Sequence, residues 1–186
     1  MGWLSRLLTG EDPESREAHM RMAHDRSDRC RLFVWGILAA SYDLDPGYLP
    51  EHARMALGDW YEISSAEELL SYTPEDFVAN DHVGYNQFRL CFMARAGYGA
   101  GLLDESSSWA MAIANAAVCQ NHYASWFEYG RAYLDGHLAY RAYMGDDAAT
   151  LADRRRSVSK RLAAKQKQVW SAIPWQPALD WWPHTH

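Results

Sequence analysis

Apolar side chains recur at three- and four-residue intervals along most of the chain, and no run of β-branched residues alternates with polar ones between turn signals. The pattern predicts a nearly all-α fold. Asp12-Pro13-Glu14 offers an N-cap with proline at the first helical position. A long helix is expected from there to about Ala40, laced by Glu17–Arg21 and Asp25–Arg29, with Met22, Cys30, Phe33 and Ile37 on its apolar face. Asp43-Leu-Asp-Pro-Gly47 is a turn, and Pro50 opens a short helix to about Gly58. Ser64-Ser-Ala-Glu67 has the form of a capping box. Thr73-Pro-Glu-Asp76 starts a helix expected to reach Ala96, where Gly97-Tyr-Gly-Ala-Gly101 ends it.

Asp104 caps the next helix, in which Trp109, Ile113, Ala116 and Gln120 keep a helical period, and Ser125-Trp-Phe-Glu128 is a second capping box. The helix it opens carries Phe127, Arg131, Leu134, Leu138 and Tyr140 before Gly145, and a last one runs from Asp147 to about Ala172. Prolines at 174 and 177 prevent a helical tail, whose aromatic residues favour folding back as a strap. The expected architecture is a compact single-domain bundle of six to seven helices over residues 1–186. Its basic helix covers about 147–172 and its strap 173–186. The amphipathic start Trp3, Leu4, Leu7 and Leu8 is expected to pack back on the domain, with a membrane or partner contact as the alternative.

Composition sharpens this picture. At 48% hydrophobic and 23% charged, the 186 residues belong to the globular class, and the aromatic share of 13% includes nine tryptophans, four of them in the last 17 residues. The net charge of −6 conceals two opposed segments. From Asp59 to Asp81 there are seven acids and no Lys or Arg, whereas Asp153 to Lys167 holds seven bases against one acid. Such runs form either solvated helix faces or docking surfaces. The acidic one, through Asp59, Glu62, Glu67, Glu68, Glu75 and Asp76, fits a basic protein partner. The basic one lacks interleaved aromatics until Trp170, which argues against nucleic acid. Cys30, Cys91 and Cys119 form no CxxC pair, so structural thiols in a reducing cytoplasm are expected. No apolar run approaches the roughly 18 residues of a membrane span.

Catalytic and metal motifs are missing from the sequence. Neither His-Glu-x-x-His nor Gly-x-Ser-x-Gly occurs, the Cys119–His122 pair has the spacing of packing residues, and Gly97–Gly101 lacks the strand and Lys-Ser/Thr of a phosphate loop. No metal and no cofactor is expected. Asn86, Arg89, Asn115, Gln120, Glu128 and Arg131 are polar residues on otherwise apolar or small-residue helices. Two readings stay open for them: a buried hydrogen-bonded network that fixes helix register, or a pocket for a small anionic substrate.

Five segments occur in a recognisable order. They are Trp60-Tyr-Glu-Ile63 before the Ser64-started helix, Gly84-Tyr-Asn-Gln-Phe-Arg89, Ala96-Gly-Tyr-Gly-Ala-Gly101 with Trp109 eight residues on, Ser125-Trp-Phe-Glu-Tyr-Gly130, and Tyr133-Leu-Asp-Gly136-His-Leu. Over residues 57–141 the chain thereby resembles the bacterial domain of unknown function 1266 family. One departure is Asn86, where the family tends to place an acid three residues before the arginine. The resemblance implies a helical fold and no established activity, and relatives near toxin–immunity and secretion loci imply an immunity or adaptor role. The expected function is a non-catalytic, cytosolic protein-binding module that inhibits a toxin or effector; the alternative is an enzyme or ligand-binding protein built on the Asn/Arg/Glu cluster.

Overall fold

The computed structural model describes residues 28–78 and 81–176, and among them it contains seven α-helices and no strand. Helix α1, Arg29–Leu38, starts where the Asp28 carboxylate accepts the N–H groups of Cys30 and Arg31 at 2.8 and 3.1 Å. With Asp28 extended (φ −91°, ψ 119°), the expected single helix to Ala40 is interrupted at residue 28, and its earlier part lies outside the described residues. An aspartate in a helix-compatible pattern carries no local mark of which it is, cap or exposed side chain.

A 3-10 turn, Pro46–Tyr48, leads into α2, Pro50–Tyr61. Before α3, Ala66–Ser71, the capping box closes one residue later than expected, on Ser65 and Glu68. Glu68 Oε2 accepts from the N–H groups of both Ser64 and Ser65 and from the Ser64 hydroxyl, three donors that only this register brings to one carboxylate. Thr73–Asp76 also differs from expectation. It caps only a 3-10 turn, Pro74–Asp76, because Phe77 is extended (φ −83°, ψ 137°) and turns inward to burial.

Helix α4 therefore begins later and ends later, at Val83–Ala100. Every residue from Gly84 to Gly97 is buried, as befits a helix surrounded on all sides. Around it pack α2, α5 (Glu105–His122), α6 (Trp126–Tyr143) and the Pro46–Tyr48 turn, while α7 (Ala148–Gln168) lies on α6. Gly97 and Gly99 do not end α4. A Cβ on Gly99 would stand 2.6 Å from the Pro46 carbonyl oxygen and 2.9 Å from Ala53 Cβ, so this glycine admits the neighbouring backbone. Gly101, at φ 81°, supplies the left-handed cap.

Gly99→Ala should therefore destabilise by about 1–3 kcal/mol through overpacking. Gly58→Ala, in α2 with nothing within 4 Å of the added Cβ, should stabilise by about 0.5–1 kcal/mol. Urea midpoints of the two variants, at unchanged slope, should move in opposite directions; movement in one direction would defeat the close-approach account.

Asp104 and Ser125 cap α5 and α6 as expected, accepting from the N–H groups of Ser107 and Glu128, while Asp147, expected as the first residue of the last helix, stands one position before it as its cap and accepts from Thr150 N–H. The reciprocal half of the expected Ser125–Glu128 capping box does not form: the Glu128 carboxylate accepts instead from Ala124 N–H at 2.8 Å, one residue before the cap. Helix α7 stops at Gln168, and Trp170–Ala172 form a 3-10 turn instead of its last turn. The described part of the strap, residues 173–176, folds back on the helical body. Ile173 O accepts from Trp126 Nε1 at 2.7 Å, Trp175 Nε1 donates to Tyr123 O at 2.8 Å, and Trp175 O accepts from Gln120. Trp3, Trp181 and Trp182 lie outside the described residues.

Candidate functional site

Charged and polar side chains fall into three environments: the core, the acidic surface around α3 and the layer between α6 and α7. In the core, Arg95 is fully buried and its Nε donates to both carboxylate oxygens of Asp45 at 3.2 and 3.0 Å. Arg95 Nη1 donates to Ser108 Oγ at 2.9 Å, Ser108 donates on to Ala94 O, and the guanidinium lies 3.6 Å from the Trp109 ring. Asp45 also accepts from Gly47 N–H at 2.8 Å, so one carboxylate both forms the 3-10 turn and docks it on α4. The low surrounding dielectric makes each of these bonds strong and each missing partner costly.

Arg89 occupies a second buried position, six residues earlier on α4. Four rings surround its guanidinium, with Phe77 at 3.9 Å and Tyr140, Tyr61 and Tyr85 at 5.1 to 5.5 Å. The arrangement is a cation held by aromatic faces, which explains why Phe77 turns inward. Burial raises the Tyr61 hydroxyl pKa, and the nearby Arg89 charge opposes that rise. Asn86 is buried one turn before Arg89. Of the other members of the expected polar cluster, Asn115 donates to its own helix at Met111 O, Gln120 holds the strap, and Glu128 and Arg131 are exposed on α6.

On the surface, Asp59, Glu62, Glu67, Glu68, Glu75 and Asp76 are all exposed. Two of them also serve as caps: Glu68 for α3, and Asp76 through bonds from the Thr73 N–H and hydroxyl. The Glu68 carboxyl pKa is lowered, first by the Ser64 N–H bond. Burial raises the Tyr72 pKa, the Arg89 charge opposes the rise, and the charges of Asp76 and Glu62 add to it. Trp60 and Leu70 are 52% and 61% exposed in the same stretch.

The layer between α6 and α7 gathers His137, Arg141, Asp146, Arg154 and Arg161. Asp146 accepts from Arg141 Nη2 at 2.8 Å and pairs with Arg154. His137 stacks on Tyr133 at 9° and meets Tyr85 edge-on. Burial lowers its pKa from the ordinary 6.5 to about 4, assisted by Arg161, Arg154 and Arg141 and opposed by Asp146. As pH falls from 6.5 towards 4 the unfolded chain takes up a proton that the folded one refuses, so His137 removes stability across that window and adds no further loss below it. His137→Phe should flatten the stability profile between pH 6.5 and 4 relative to the wild type; parallel profiles from urea unfolding would contradict this account.

Among the described residues no group of three or more His, Cys, Asp or Glu could hold a metal ion, and no helix is long and apolar enough to cross a membrane. The three cysteines are free and buried. Sequence reasoning missed the Asp45–Arg95 pair, whose partners are 50 residues apart and have no local signature.

No curated protein and no solved structure matches the chain. A family model described as "Protein of unknown function (DUF1266)" matches residues 5–175, well beyond the segment 57–141 that carries the recognisable motifs. With nearly the whole helical body matched, the chain belongs to the DUF1266 family of proteins of unknown function.

Proposed function

We propose that this protein is a non-catalytic protein-binding domain whose acidic surface meets a basic partner, in the manner of an inhibitor of a toxin or effector. The observation that carries the reading is the segment from Asp59 to Asp76. It exposes six carboxylates without one Lys or Arg and sets exposed Trp60 and Leu70 among them. Large apolar side chains of this kind anchor interfaces once desolvated, and the surrounding charge of one sign steers an oppositely charged partner and raises its rate of encounter. Because Glu68 also caps α3 and Asp76 the 3-10 turn, charge is best altered at Asp59, Glu67 and Glu75.

Co-purification from the native host should retain a basic protein whose binding weakens steeply with salt. Against that purified partner, Asp59→Lys/Glu67→Lys/Glu75→Lys should lose at least tenfold in affinity, chiefly in association rate, and Trp60→Ala should speed dissociation. Unchanged affinity of the triple variant would overturn the acidic-face reading.

A further inference from the structure

A groove of about 350 Å³ opens between α6 and α7 on a different surface. Its α6 wall is Phe127, Gly130, Arg131 and Leu134, at i, i+3, i+4 and i+7. Leu162, Ala163 and Gln166 continue that spacing on α7, and Trp170 lines it below. Gly130 lets the Trp170 ring approach the α6 backbone, since a Cβ there would stand 3.1 Å from it. Phe127, 63% exposed, remains a large apolar surface at one end. Two antiparallel edges with this spacing form the seat that a third helix packs into. The wall from Ser159 on α7 to Trp170 in the 3-10 turn that follows it spans about 16 Å, the length of about three turns of a docked helix.

The charges at its rim select the occupant. Along α7, Arg154, Arg155, Arg156 and Lys165 are paired with Asp146, Asp135, Asp153 and Asp43, and Arg161 donates to Ala40 O. Lys167 on α7 and Arg131 on α6, both lining the groove, have no carboxylate within ion-pair distance among the described residues. Cations on both walls of an apolar trough complement a helix with an apolar stripe between acidic flanks. We propose that this groove holds an acidic amphipathic helix, about three turns long, of a protein partner. The site is separate from the acidic face and does not depend on its role.

The probe is a labelled synthetic helix of about 15 residues, with leucines at i, i+3, i+4, i+7 and i+11 and glutamates beside them; its counterpart carries lysines. Titrated against the full chain and followed by anisotropy, the glutamate helix should bind at least tenfold tighter than the lysine helix and weaken with salt. Its NMR footprint should fall on Leu134, Leu162 and Ala163. Ala163→Arg, at an exposed position that fills the trough, and the surface variant Arg131→Glu/Lys167→Glu should each weaken it tenfold or more at unchanged melting temperature. Glu67→Lys/Glu75→Lys should leave it unchanged, which separates this result from failure of the acidic-face reading. Equal binding of both helices, binding that survives Ala163→Arg, no binding to the full chain, or sedimentation showing a second copy in the groove would overturn the proposal.

Discussion

Asp45→Ala lowers the unfolding free energy by about 3–5 kcal/mol, the expected cost of leaving a buried cation without its counter-ion. Arg95 has no route to water, being fully buried and enclosed by Trp109 at 3.6 Å and by Tyr98 and Tyr48 at 5.2 and 5.3 Å. The same substitution removes the acceptor for Gly47 N–H and so loosens the Pro46–Tyr48 turn from α4. For a chain of this size each kcal/mol corresponds to about 2–4 °C, so the melting temperature should fall by roughly 6–20 °C. Asp45→Asn keeps an oxygen acceptor and should lose less. Asp45→Leu/Arg95→Met should recover much of the loss, because it removes both charges together. A loss below about 1 kcal/mol for Asp45→Ala is the value of a solvated surface pair and would show that this one is hydrated.

This pair also marks where sequence reading stops. Helix class and most caps depend on residues within four positions of each other, so Asp104 and Ser125 are legible as caps. The capping box at Ser65 slipped by one because adjacent serines, 64 and 65, and adjacent glutamates, 67 and 68, offer two registers and only the fold chooses. The start of α4 was misplaced because Phe77 obeys a tertiary demand, covering Arg89, that overrides the helix signal of Thr73–Asp76. Two glycines in Gly97–Gly101 resemble a terminator from sequence alone, yet serve close approach to Leu69 and Pro46. Among the candidate site residues, the exposure of the acids could be anticipated from charge. The partition of the polar cluster, with Asn86 and Arg89 inside and Glu128 and Arg131 outside, depends on α4 being surrounded on all sides and on which face of α6 meets a neighbour. The groove is likewise the product of how α6 and α7 lie together.

Trp126→Ala carries the other large effect, about 3–5 kcal/mol, since removing a large buried ring leaves a cavity its neighbours fill only in part. Its indole stacks on Trp170 at 5.5 Å and 7°, meets Trp175 edge-on at 4.7 Å, lies 4.9 Å from Phe33, and donates to Ile173 O. The loss should begin locally: amides of residues 169–176 should exchange faster before the α4 amides do, because Trp126 joins the strap to α1 and α6. Trp126→Phe retains most ring contacts but leaves Ile173 O without its donor, costing about 1–3 kcal/mol. Gly36 supplies an independent check. A Cβ there would stand 2.5 Å from Trp126 Cη2, so Gly36→Ala should destabilise the wild type by overpacking. In the Trp126→Ala background that clash is gone and most of the cost should vanish, leaving only the 3.2 Å approach to Ile173. The double-mutant cycle should give a coupling of at least about 1 kcal/mol, and additive effects would show that the α1 backbone and this ring are not in contact.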